Sequence, residues 1–210
     1  MFVGAPLSGK GTQANLLSDL LSIPSTSSGD IFRKEVASGS ALGQRMKSYM
    51  DKGELIPNDL TTQLLTQSFA DPAYTAGLFL DGYPRNLSHL EIFDRILASL
   101  DRKLLVVIHF DVPKETLLGR LEGRLTCAQC AEIFNALLVG PSFTTCTKCN
   151  GPVLKRPDDN QSVFERRFEI YQRETLPLLE ALRQRGLVIT LQSAERPHTL
   201  TQQILSILSD

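Results

Sequence analysis

Met1-Phe2-Val3-Gly4-Ala5-Pro6-Leu7-Ser8-Gly9-Lys10-Gly11-Thr12 is the stretch that decides the fold. A short apolar run ends in a loop that carries Gly4, Gly9 and Gly11, with Lys10 between the last two. Gln13-Ala14-Asn15-Leu16-Leu17 then reads as the start of a helix. The step from Gly4 to Gly9-Lys10 has the G-x-x-x-x-G-K spacing of a phosphate-binding loop. Glycine lets the backbone turn tightly, so successive N–H groups converge on one concavity. That concavity opens on a helix N-terminus, where unpaired N–H groups and the helix dipole favour an anion. Lys10 adds a point charge for the outer phosphates. The usual hydroxyl directly after the lysine is displaced by one residue, from Gly11 to Thr12.

Outward from this loop, short apolar runs alternate with helical patterns. The first helix reads from about Gly11 to Ser22, with Ala14, Leu17, Leu20 and Leu21 on one side. Ser27-Ser28-Gly29-Asp30 offers a cap and turn before a helix from Ile31 to Val36. Further helices are expected from Ala41 to Lys52 and from Leu60 to Phe69, the latter capped by Asn58 or Asp59. Phe79-Leu80 leads a strand into Asp81-Gly82-Tyr83-Pro84-Arg85. Leu104 to Phe110 reads as a buried strand and Lys114 to Leu125 as a helix. Asn160 to Arg185 reads as one long helix with a kink at Pro177, before a last strand (Leu187 to Leu191) and helix (Pro197 to Leu208). This alternation is the signature of a parallel sheet covered on both faces, an α/β fold. Ligands in such folds lie past the carboxyl ends of the strands, where the first loop and Asp81 to Arg85 both fall.

Composition narrows the function. The 210 residues carry a net charge of −1, which argues against a general nucleic-acid or membrane-surface binder. No apolar window reaches the ~18 residues of a membrane span, and no secretory pattern opens the chain. A cytoplasmic setting is expected.

Between Thr126 and about Arg156 the helix and strand periods vanish, and all four cysteines appear. Cys127-x-x-Cys130 and Cys146-x-x-Cys149 are two knuckles spaced to close a tetrahedral four-cysteine zinc site. Four protein ligands leave no open position, so this Zn2+ would be structural. Asp81, beside a phosphate loop, is placed to hold Mg2+ directly or through water. Arg120 and Arg124 lie four apart on the expected helix and would share a face. With Arg33, Arg85, Arg156 and Arg167 they supply guanidinium forks for phosphate and for charge on a transferring phosphoryl group. Arg166, beside Glu165 and Glu169, reads as a solvated surface residue.

These motifs together resemble the adenylate kinase family. The resemblance rests on Gly4 to Ala14, Ser28-Gly29-Asp30, Asp81 to Arg85, Phe110-Asp111-Val112-Pro113 and Arg156-Pro157-Asp158-Asp159-Asn160, and it covers essentially the whole chain in order. The four-cysteine segment is similar to the zinc-bearing lid of long bacterial members. The resemblance implies a P-loop nucleoside monophosphate kinase with a five-stranded parallel sheet, working as a monomer on ATP, AMP and ADP with Mg2+. It implies a core (1–26, 57–119 and 160–210), an AMP-binding part (27–56) and a lid (120–159). Leu7, Ser8, Gly9, Lys10, Gly11 and Thr12 would cradle ATP, with Arg124, Ile133, Phe134 and Glu195 also on the ATP side. Ser28, Arg33, Glu54, Leu55, Ile56, Gly82, Tyr83, Pro84, Arg85, His89, Arg156 and Arg167 would hold AMP. Lys10, Asp81, Arg85, Arg120, Arg124, Arg156 and Arg167 would serve the transfer, with Asp158 near the transferred phosphate and the lid hinge. At His89 the family has Gln, and a neutral imidazole that donates and accepts would take over its contact with the base. Two other functions fit parts of the sequence: a kinase for UMP, CMP or GMP, and a zinc-ribbon nucleic-acid binder switched by ATP. Neutral charge, and no aromatics interleaved with basic residues around the knuckles, count against the second.

Overall fold

Strand β1 (Phe2–Gly4) runs into helix α1 (Lys10–Leu21), and β2 (Ser25–Ser27) into α2 (Ser28–Ala37). Helices α3 (Ala41–Lys52) and α4 (Asn58–Phe69) follow, then β3 (Phe79–Asp81), α5 (Leu87–Ser99), β4 (Val107–Asp111) and α6 (Lys114–Gly123). The cysteine segment holds β5 (Arg124–Cys127), β6 (Ile133–Asn135), a single turn α7 (Ala136–Val139) and β7 (Val153–Leu154). Helix α8 (Gln161–Ile170), a π-helical turn (Tyr171–Thr175), α9 (Leu176–Gln184), β8 (Val188–Gln192) and α10 (Pro197–Ser209) come last. This computed structural model describes residues 1–140, 142–192 and 197–209.

Five strands form one parallel sheet in the order β2-β3-β1-β4-β8. β1 is therefore central, and its neighbours on the two sides come from distant parts of the chain. The crevice past its carboxyl end is where a ligand fits. Both faces of β1 are apolar because both are covered. On one face Phe2 stacks on Phe79 and meets Phe110 edge-on, each at 5.7 Å between ring centroids. Ala14, Leu17, Leu200 and Ile204 of α1 and α10 close that side. On the other face Val3, Leu80 and Val107 pack against Leu65 of α4, Phe93 of α5 and Leu178 of α9. Among the described residues no helix is long and apolar enough to cross a membrane.

Several local expectations change. Ala14 and Leu17 are buried as expected, but Leu20 and Leu21 face solvent. The third inward position of α1 is Gln13, whose amide donates to Pro197 O (2.8 Å) and accepts from the Thr201 hydroxyl (2.8 Å). Helix α2 starts at Ser28 rather than Ile31, because the Ser27 hydroxyl already caps the Asp30 N–H. Helix α4 takes Asn58 as its first residue, after Pro57, and no side chain caps it. The strand expected over Leu104 to Phe110 is shifted to Val107–Asp111, where β8 pairs with it residue for residue. Arg120 and Arg124 do not share a helix face. Helix α6 stops at Gly123, and Arg124 is extended and opens β5. The cysteine segment is not irregular: β6-β5-β7 form a small antiparallel sheet. The expected single helix over 160–185 is three pieces. Asn160 caps the first, and the break near Pro177 is the π-helical turn, in which Leu176 N–H reaches Tyr171 O. Proline cannot donate the α-helical bond and crowds the carbonyl four residues back, so a wider turn before it relieves both problems.

Candidate active site

The phosphate loop is built by close approach. A Cβ on Gly4 would lie 2.7 Å from Phe110 O and 2.8 Å from the Ser8 hydroxyl, so only glycine fits. Gly9 turns with φ +97° to open α1. Leu7 adopts a left-handed backbone, φ +68°, although it is not glycine. That costs about 1 kcal/mol, offset by packing of its side chain beside Ala5, Val112 and Leu117. Ser8 is wholly buried. Lys10 folds over the loop, its ammonium donating to Gly4 O (3.0 Å), Ala5 O (2.8 Å) and the Ser8 hydroxyl (3.2 Å). Burial pushes Lys10 down to about 8, and the Arg85 and Arg124 cations add to this while Asp81 opposes it.

Asp81 ends β3 beside the start of α1. Burial raises its carboxyl, against the pull of Lys10 and Arg85. Its Oδ1 is buried with no hydrogen-bond partner. An unpaired buried carboxylate oxygen is costly unless a cation or ordered water meets it. Asp81 and the Thr12 hydroxyl line one cavity and are hard oxygen donors, a set that fits Mg2+.

All six arginines singled out from the sequence converge here. Arg33 pairs with Asp30 (2.5 Å) and Arg167 with Asp158 (2.6 Å). Arg124 makes a two-pronged pair with the buried Asp159, its Nε donating to Oδ2 at 2.7 Å. Arg120 donates to Leu7 O (3.2 Å), Arg156 to the Thr126 hydroxyl (3.0 Å) and Arg85 to Gly82 O (2.7 Å). Burial pushes Arg85 and Arg156 each down to about 10, and neighbouring arginines add to it. Cations crowded this way are an anion site. Arg166 lies apart, at 3.6 Å from Glu169 and 3.8 Å from Glu54, while Glu165 pairs with Lys114.

Two cavities meet at this cluster. The larger, about 610 Å³, is lined by Leu7 to Thr12, Arg120, Arg124, Ile133 and Phe134. The smaller, about 190 Å³, is lined by Arg33, Glu54 to Ile56, Gly82 to Arg85, His89, Arg156 and Arg167. Lys10, Arg33, Asp81, Arg124 and Arg156 belong to both walls. Ser28 lines neither. It is buried, and its hydroxyl donates to Gly82 O (2.7 Å), so it holds the Gly82 turn, while Ser27 and Gly29 face the cavities. Asp158 accepts from Arg167 and lines neither cavity. Glu195 falls outside the described residues.

His89 is buried against Tyr83, with ring centroids 5.0 Å apart. Its Nδ1 accepts from the Arg85 N–H at 3.4 Å, so the neutral ring keeps its proton on Nε2. Burial, then the Arg85 cation, pushes its titration down to about 4 against a smaller pull from Glu174, well below the ordinary imidazole range. Sequence reasoning missed Asp159, Thr126, Tyr171 and Thr175. Only the Asp158-Asp159 pair gave a signal, and its partners are set by the fold.

The four cysteine sulfurs lie within 4.8 Å of one another. Cys127 and Cys149 are 3.4 Å apart, and Cys130 and Cys146 are 3.6 Å apart. A tetrahedral four-sulfur site with ~2.3 Å bonds has an edge of about 3.8 Å. Gln129 and Lys148 N–H groups donate to Cys127 and Cys146 sulfurs, each at 3.4 Å, as suits thiolates. The set fits Zn2+.

A family model described as adenylate kinase matches residues 2–187. An adenylate kinase of Thermosipho melanesiensis is 33% identical over 209 residues, covering 99% of this chain and 98% of that protein. One of Archaeoglobus fulgidus is 34% identical over 209 residues, with 99% and 96% covered. One of Methanocella arvoryzae is 37% identical over 202 residues, with 96% and 94% covered.

Proposed function

Since this chain belongs to the adenylate kinase family of phosphotransferases, we propose that its two cavities divide the substrates of ATP + AMP ⇌ 2 ADP between them. The larger takes ATP against the phosphate loop, and the smaller takes AMP. The observation that carries this division is the shared wall, where five charged residues face both cavities. An AMP phosphate oxygen attacks the terminal phosphorus of ATP, and the bond to the bridging oxygen breaks as ADP leaves. No side chain forms a covalent bond. The residues align two phosphates that repel each other and neutralise the charge that spreads over the transferring group. Lys10 exchanges its loop carbonyls for outer phosphates. Arg33, Arg85, Arg156 and Arg167 orient the AMP phosphate, and Arg120 and Arg124 meet the ATP side. Asp81 and Thr12 would hold Mg2+, which supplies charge neutralisation between the outer phosphates when bound. The four cysteines would hold a structural Zn2+ in a lid (120–159). Residues 27–56 form an AMP-binding part and the rest a core. A monomer working in the cytoplasm completes this reading.

The test is ADP formation from ATP with each nucleoside monophosphate in turn, in the wild type and in Lys10→Ala. AMP should be preferred, and the alanine variant should lose at least about a hundredfold in turnover with an unchanged far-UV spectrum. Turnover within a few-fold of wild type would overturn the role of the loop.

A further inference from the structure

The π-helical turn lies against the smaller cavity, and Tyr171 and Thr175 at its two ends both line that cavity. Each end is tied to the sheet side by a partly buried hydrogen bond. Tyr171 OH meets His109 Nε2 of β4 at 2.9 Å. The Thr175 hydroxyl donates to Arg85 O at 2.8 Å. A π-turn adds one residue to a helical turn and re-aims the side chains that follow it. Here it turns Thr175 onto the Arg85 peptide.

Arg85 has unusual needs. Its guanidinium is directed by backbone contacts, with Nε on Gly82 O at 2.7 Å. Among the described residues its own N–H has only the long 3.4 Å bond to His89. Thr175 is thus the short tie on the Arg85 main chain, through its carbonyl, and Thr175 is buried. We propose that Thr175 is a positioning residue for the monophosphate: it fixes the Arg85 carbonyl and so aims the guanidinium at the phosphate in the smaller cavity. The inference rests on the reading of that cavity as the AMP site. It predicts that the effect of Thr175 is confined to the phosphate end of the acceptor and is absent for the donor nucleotide.

Thr175→Val keeps the shape and removes the donor. AMP binding should weaken roughly tenfold, as expected when a partly buried carbonyl loses its partner. Binding of adenosine, which lacks the phosphate, and of ATP should stay within about twofold, and Thr175→Ser should restore AMP binding. Thr175→Ala removes the hydroxyl without bulk and is read the same way should the valine variant fold poorly. Equal changes for AMP and adenosine, or a lower melting temperature with AMP binding intact, would overturn the proposal. Failure of the wild type to bind AMP at all would instead overturn the assignment of the cavity.

Discussion

At the scale of the residue, His89 shows packing setting chemistry. An exposed imidazole titrates near ~6.5, and on that basis AMP affinity would fall in mildly acid solution. Enclosure beside Tyr83 and the Arg85 cation moves the titration to about 4. The AMP phosphate itself loses its second proton near ~6, so the AMP Michaelis constants of the wild type and of His89→Gln should follow the same pH dependence from about pH 6 to 8, and a several-fold divergence between them toward pH 6 would contradict the burial. The same shift appears in stability. Between about 4 and the ordinary imidazole range, the unfolded chain binds the proton that folded His89 refuses. Stability is then full above ~6.5 and declines as pH falls toward the folded value. His89→Gln should lessen that decline without abolishing it, since burial lowers His109 in the same direction. Thermal melts of both proteins at several pH values decide, and parallel curves would remove His89 as a contributor. The presence of a histidine here was legible in the sequence. Its enclosure was not, because that depends on Tyr83 of the loop before α5 folding back onto the ring, with Phe93 of the same helix set edge-on against Tyr83.

At the scale of the element, the cysteine segment was legible as chemistry and illegible as structure. The knuckle spacing announces four converging sulfurs, and the structure brings them within 4.8 Å. Strands of two to four residues are too short to show a period, so the small sheet around them leaves no pattern. A sheet of that size has little apolar area of its own. Chelation, or Cys127→Ser, should lower the melting temperature by about 5–10 °C while most activity survives at low temperature. Activity lost in the cold with no thermal shift would give the metal a chemical role instead. The long helix teaches the converse. Pro177 announced a break, but a bend and a π-turn accommodate its missing N–H equally well. The choice is made by Tyr171 and Thr175 finding partners outside the helix.

At the scale of the molecule, the cysteine segment rests on the core through charge. Lys148, between two of the cysteines, pairs with Asp19 of α1 at 2.7 Å and lies 3.8 Å from Glu132. Asn15 of α1 donates to Glu132 at 3.4 Å. These groups are substantially exposed, so the latch is worth at most ~1 kcal/mol and is screened by salt. Asp19→Asn should shift the segment toward an open arrangement by up to about fivefold in low salt, with no difference from wild type at high salt. Distance-sensitive fluorophores on α1 and beside Cys149 would report it, and a salt-independent difference would exclude the ion pair as its cause. The parallel sheet, unlike the latch, was legible, though the order of its strands was not. Apolar runs between helices and the loop after Val3 fix a parallel sheet with its crevice past β1, whereas ion pairs between remote surfaces leave no trace in a linear pattern. That sheet order also sets a timetable for biosynthesis. β4 is paired on one side by β1 but on the other by β8, whose first residue, Val188, meets Val107 across a separation of 81 positions. A chain emerging from the ribosome can assemble the two cavities' phosphate loop early. It must still carry β4 with a bare edge until residues 188–192 have been made. During that interval the nascent protein is most exposed to wrong pairing, and chaperone protection matters most for it then.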